Sequence, residues 1–332
     1  MPAAVPVGLP PLQGAALGAA GRRSPGGACT EAREQERGLT LGARFLLATL
    51  WLLHWLPLGA QALAGRAFGR LLYAAAGARR RIALRNIGLC FPERSAAEQE
   101  LLAREHFQWL GRSILERGLL WYASPARLRR LIQVEGDVTL AERSERPVMW
   151  LAPHFMALDV AGVAILLFQT RRGISIYQEQ SHPVIDAAIR RGRLRLGNAE
   201  IFPREGSATA LLRAIRRGDA FFNLPDMDFG ARDAAFVPFF GVPAATLLAP
   251  SRLARALNMV VQPVVAETLP GGRGYRVRFL PPWDDFPSDD AQADTARMNR
   301  WIEAEIRANP AQYLWVHKRF KTRPPGEPAL YD

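Results

Sequence analysis

Apolar positions change rhythm twice along the chain. The stretch 45-FLLATLWLLHWLPLGAQALA-64 runs almost unbroken, with only His54 and Gln61 strongly polar. About 20 such residues are what a bilayer-spanning helix needs. In 91-FPERSAAEQELLAREHFQWLGRSILERGLLW-121 apolar residues instead recur at helical spacing (Leu101, Leu102, Phe107, Leu110, Ile114) behind a Ser95/Glu98 capping box. From about 133 onward the pattern shortens to strand-like runs at 133–136, 147–152, 173–178, 199–202, 220–225, 259–267 and 275–280. Helix-like runs at 183–196, 207–217, 246–257 and 291–308 separate many of them. This alternation predicts an α/β fold, a mixed sheet flanked by helices. The glycines of 271-GGRG-274 predict a hairpin turn, because they lack the strand-and-helix setting of a phosphate loop.

The rhythm also divides the chain. Residues 1–38, rich in Ala, Gly and Pro without periodicity, are expected to be a disordered or extraneous extension. Residues 39–77 are expected to anchor the protein to a membrane, 78–322 to form the catalytic domain and 323–332 a tail. Since His54 and Pro57 interrupt the apolar run, both a spanning helix and one half-immersed in a single leaflet fit it. Arg44 precedes the run, and Arg66, Arg70, Arg79, Arg80, Arg81 and Arg85 follow. That bias favours a cytoplasmic main domain, with Arg79, Arg80 and Arg81 facing lipid headgroups.

Composition sharpens this only in part. A hydrophobic content of 49% with 22% charged residues excludes global disorder, and 332 residues can bury a substantial core. The net charge of +12 suits a polyanionic partner: nucleic acid, an anionic membrane surface or a phosphorylated substrate. Nearly every cation is Arg, with Lys only at 318 and 321, so local clusters carry more meaning than the total. Cys29 and Cys90 form neither a disulfide framework nor a zinc spacing, and no metal or cofactor is expected.

Candidate chemistry centres on 152-APHFMALDVAG-162. On one continuous helix His154 and Asp159 would point about 140° apart. They can meet only if His154 lies at the mouth of a strand and Asp159 one turn into the next helix, and 148-VMWL-151, Pro153 and 156-MALDVAGVAILLF-168 suit that arrangement. A carboxylate on one ring nitrogen makes the imidazole an oriented general base. With no G-x-S-x-G elbow and no well-placed cysteine, the base would act on a substrate hydroxyl that attacks a bound acyl donor directly. Arg190, Arg191, Arg193, Arg195 and Arg204 follow, and guanidinium groups match phosphate.

The chain resembles the lipid A late acyltransferases, the lauroyl/myristoyl family related to H-x4-D/E glycerolipid acyltransferases. The resemblance rests on 79-RRRIALRNIGLCFPERS-95, 105-EHFQWLG-111, 153-PHFMALDVAG-162, 190-RRGRLR-195, 225-PDMDFG-230, 236-FVPFFGVPAAT-246 and 309-NPAQYLWVHKRFKTRPPGEP-328. It implies an acyl-carrier-protein thioester donor, a phosphorylated lipid A precursor bearing 3-hydroxyacyl chains as acceptor, and the cytoplasmic face of the inner membrane. It also implies that His154 is the base and Asp159 its orienting acid. Arg193, Arg195, Arg204, Asp226, Asp228 and Arg232 become substrate-binding candidates, with Asp226 or Asp228 pinning an arginine or binding sugar hydroxyls. The basic 317-HKRFKTR-323 is expected to be structural or to face the acidic carrier. Two departures stand out: Asp rather than the commoner Glu at 159, and Gln178 where many members carry Arg. Competing readings are a glycerolipid or aminolipid O-acyltransferase, a non-catalytic membrane scaffold, and a nucleic-acid-binding protein. The last lacks any recognised reading motif, so no nucleic-acid partner is expected.

Overall fold

The computed structural model describes residues 40–331; the expectation for 1–38 lies outside them. The chain divides into Met1–Gly42 and Ala43–Asp332, and only the second unit is considered below. Within it the chain is helical over 43–53 (α1), turns at 54–57, and continues as α2 (Leu58–Ala75) and α3 (Gly77–Cys90). The apolar run is therefore not one helix. Pro57 has no N–H to extend α1, His54 turns its Nδ1 onto the Trp51 carbonyl, and Arg127 donates to the carbonyls of His54 and Leu56. Among the described residues no helix is long and apolar enough to cross a membrane, which corrects the spanning form of the anchor. Phe45, Leu52 and Trp55 remain 76%, 61% and 67% exposed.

Helix α4 (Ala96–Leu115) starts at the expected Ser95/Glu98 capping box. It packs on α2 almost backbone to backbone: a Cβ on Gly69 would lie 2.1 Å from the Phe107 carbonyl oxygen, and one on Gly111 2.3 Å from that of Gly65. Only glycine permits that approach. Then come α5 (Arg117–Tyr122), α6 (Pro125–Leu131), β1 (Ile132–Gly136), α7 (Leu140–Arg143), β2 (Val148–Leu151), α8 (Leu158–Phe168), β3 (Gly173–Tyr177), α9 (Pro183–Leu194), β4 (Ala199–Pro203), α10 (Ala208–Arg216) and β5 (Ala220–Asn223). The remainder is β6 (Ala234–Phe239), β7 (Val242–Leu247), α11 (Ala249–Ala256), β8 (Val260–Thr268), β9 (Tyr275–Phe279) and α12 (Ala291–Ala308).

Seven strands form one mixed, mostly parallel sheet in the order β1-β9-β8-β2-β5-β3-β4, antiparallel only at β8–β9. The turn joining that antiparallel pair contains the predicted 271–274 glycines. Helices cover both faces, so β2 is buried along its whole length, as expected of a parallel strand between two layers. Met149 and Leu151 enter one core cluster, with Ile174, Phe221 and Phe239; Trp150 enters the other, with Val160, Ala164 and Phe279. The hairpin β6–β7 stands apart as a two-stranded ribbon, unanticipated from a sequence that carries Pro238 and Pro243 opposite each other.

Candidate active site

Adjacent parallel strands end side by side at the carboxyl edge of the sheet, where open α/β folds place their crevice. Strand β2 releases 152–157, and its neighbour β5 releases 224-LPDMDFG-230. Ala152 extends the ladder by donating to Asn223, and Pro153 then ends it. The loop is clamped from outside by the C-terminal block: Leu314 N donates to His154 O at 3.0 Å, and Met156 N to Gln312 O at 2.7 Å.

His154 meets a carboxylate here, but it is Asp226. The ring Nδ1 lies 2.7 Å from Asp226 Oδ1, and the His154 backbone N–H donates to Oδ2 at 2.9 Å. The carboxylate is fully buried, whereas the imidazole keeps 14% exposure. Burial alone would raise the pKa of Asp226, but attraction to His154, these hydrogen bonds and Arg319 hold it below the usual carboxylate value. Burial, then the nearby Asp226, drives the Tyr313 phenol well above its ordinary value. An ionised Asp226 accepts the Nδ1 proton, which leaves the Nε2 lone pair free to act as a base.

Asp159, the acid expected in that role, does lie one turn into α8, but it is engaged elsewhere. Its Oδ1 accepts from Arg193 at 3.0 Å and its Oδ2 faces Arg117 at 3.2 Å. Burial opposes ionisation, and the two arginines outweigh it, so Asp159 also sits below its usual pKa. It ties α8 to both α5 and α9. Arg195, expected to bind substrate, closes the triangle by donating to the carbonyls of Leu120 and Ala123.

Inside that triangle, against β3, β4 and β5, lies a mainly apolar cleft of about 790 Å³ counting its open mouth. Asp159 and Arg193 line it together with Trp121, Gly162, Val163, Leu166, Phe222 and Leu224. A Cβ on Gly162 would meet nothing within 4 Å. The lining suits an apolar ligand.

The other candidates are dispersed. Buried Asp228 staples its loop to the C-terminal block, accepting from Gly230 N, Thr322 N and Thr322 Oγ1. Its own N–H donates to His317 Nε2 at 3.2 Å. Burial, with His154 and Arg319 nearby, lowers His317 to about pKa 4 against the pull of Asp226 and Asp228, so this imidazole is neutral. Arg204 stacks over Phe229 at 4.0 Å, and Arg232 is 97% exposed with only a loose contact to Asp233; neither lines the cleft. Arg79 donates to Val316 O, Arg80 to Tyr73 O, and Arg81 stays exposed. Within 317–323, Arg319 is buried and donates to Ala245 O and Thr246 Oγ1, the structural alternative. Arg117, Tyr313 and His317 were not singled out from the sequence; only the length of the C-terminal motif block signalled that its region mattered. Among the described residues no cluster of three or more His, Cys, Asp or Glu could hold a metal ion.

A sequence model of bacterial lipid A biosynthesis acyltransferases matches residues 35–322. The chain belongs to that family. It is 34% identical over 290 residues to the lipid A biosynthesis palmitoleoyltransferase of Escherichia coli (strain K12), covering 86% of this chain and 93% of that one. It is 33% identical to the lauroyltransferase of the same strain, with the same coverage. Identity to that strain's myristoyltransferase is 31% over 79% of this chain and 80% of the other. Three relatives named for three acyl chains stand nearly level. This acyltransferase of lipid A biosynthesis therefore does not declare its acyl chain by overall similarity.

Proposed function

We propose that this enzyme moves a fatty acyl chain from an acyl-carrier-protein thioester to the hydroxyl of a 3-hydroxyacyl chain on a phosphorylated lipid A precursor. His154 Nε2 removes the hydroxyl proton as the oxygen attacks the thioester carbonyl. The tetrahedral intermediate collapses, the C–S bond breaks, and the proton passes from His154 to the departing thiolate. Asp226 fixes the tautomer and stabilises the imidazolium. Asp159 holds Arg193 in the cleft lining and pairs with Arg117 beside it, and these guanidinium groups meet developing negative charge or an acceptor phosphate. The apolar cleft takes the donor's hydrocarbon tail. The observation that carries this reading is the two-point grip of Asp226 on His154, whose charge is felt by Asp159 in the lining of an apolar cleft.

The exposed apolar side chains of α1 and the following turn suit partial immersion in the inner membrane from its cytoplasmic side. There they would meet the lipid acceptor while the carrier protein approaches from water. The test is His154→Ala assayed with acyl-carrier-protein thioester and lipid A precursor. The variant should fold, by circular dichroism, and lose transfer by at least about 10³-fold. Near-normal turnover would reject the mechanism.

A further inference from the structure

A second apolar groove lies behind the first. It runs between α1 (Leu47, Ala48, Trp51) and the α5–α9 pair (Trp121, Tyr122, Ala188, Arg191, Gly192), with about 670 Å³ of open space. Trp121 and Gly192 line both cavities. A Cβ on Gly192 would lie 2.3 Å from the Trp121 ring, so the indole lies flush on the α9 backbone as a partition one side chain thick.

Chemistry explains why two grooves are needed. An ester formed on a hydroxyl carried partway along an acyl chain joins two hydrocarbon tails at one carbon. Both tails must diverge from the reacting atoms, and burying each of them favours binding. A second groove gives the second tail its own place. Its α1 wall, Leu47, Ala48 and the exposed Trp51, lies on the same helix as the exposed Phe45 and Leu52, which makes this groove the one reached from a lipid phase. At its rim the exposed Arg191 forms no hydrogen bond or ion pair among the described residues, whereas neighbouring Arg190, Arg193 and Arg195 are all engaged. An uncommitted guanidinium beside an apolar groove matches a phosphorylated lipid.

We propose that the α1–α5–α9 groove seats an acyl chain of the lipid acceptor, with Arg191 meeting its phosphate and Trp121 keeping the two tails apart. This rests on the acyl-transfer reading above. The experiment is steady-state kinetics in detergent micelles with acyl-carrier-protein thioester and lipid A precursor, comparing wild type, Ala48→Trp and Arg191→Ala. Ala48 is exposed on α1, so a tryptophan there fills the groove without entering the core. The expected result is a rise in acceptor KM of fivefold or more for Ala48→Trp, with donor KM held. Arg191→Ala should raise acceptor KM comparably for a phosphorylated precursor and not for the same lipid after phosphatase treatment. Unchanged acceptor KM, or donor and acceptor KM rising together, would overturn the groove assignment. Failure of the transfer reading would appear separately, as undiminished turnover in His154→Ala.

Discussion

Two aspartates flank one histidine, and they have opposite kinds of neighbourhood. Asp226 leaves the end of β5, is fully buried and spends both oxygens on His154. Asp159 rides the first turn of α8, keeps 26% exposure and spends both oxygens on arginines. The first arrangement fixes a tautomer; the second anchors positive charge in the lining of an apolar cleft. Distance along the chain is a poor guide to which acid does which, because sheet order makes β5 the neighbour of β2 across some 70 intervening residues.

Substitution should separate the two roles. Asp226→Asn, nearly isosteric, cannot accept the Nδ1 proton ionically, and kcat should fall by about 10²–10⁴-fold with acceptor KM little changed. Asp159→Asn should cost less, about 10–100-fold, and show in KM as well as kcat because Arg193 and Arg117 lose their anchor. Equal losses confined to kcat in both variants would erase the distinction. Filling the open space beside Asp159 probes the cleft and not the charges. Gly162→Phe should shift preference toward shorter acyl donors by about tenfold, read by competing carrier-protein thioesters of different length, since each excluded methylene forfeits about 0.8 kcal/mol. An unchanged length profile would place the donor tail elsewhere.

The smallest effect concerns pH. His106, completely buried, is lowered to about 4 chiefly by burial, as is His317. Between about pH 6.5 and 4 the unfolded chain binds protons that these folded imidazoles refuse. Stability should therefore decline as pH falls through that window, on the order of 1 kcal/mol per unit for each imidazole. Asp226 and Asp159, with pKa values held below the ordinary range, contribute stability at neutral pH that is lost only at still lower pH. Urea unfolding at a series of pH values checks this, and a flat profile from 6.5 to 4 would contradict it.

Much of this was legible in advance for physical reasons. Strands β1 to β5, β8 and β9 coincide with short apolar or alternating runs, and α4 announces itself by its cap. The ribbon β6–β7 was not legible, because Pro238 and Pro243 argue against strands and its pairing is settled by packing of Val237, Phe239 and Ala244 into the core. The 45–64 run read as a possible span because hydropathy sums over a window and does not register the 54–57 turn. His154 was found from its place after a strand. The carboxylate hydrogen-bonded to it, Asp226, was not legible, because spacing reports neighbours along the chain while the sheet supplies neighbours across it.

The most direct test is the protonation of His154 itself. In a ¹H–¹⁵N spectrum of histidine-labelled enzyme at neutral pH, assigned by loss in His154→Ala, the ring should show a far-downfield Nδ1–H. That signal should vanish in Asp226→Asn and persist in Asp159→Asn. A ring protonated on Nε2 with Nδ1 bare, or a signal lost in Asp159→Asn and kept in Asp226→Asn, would contradict the account.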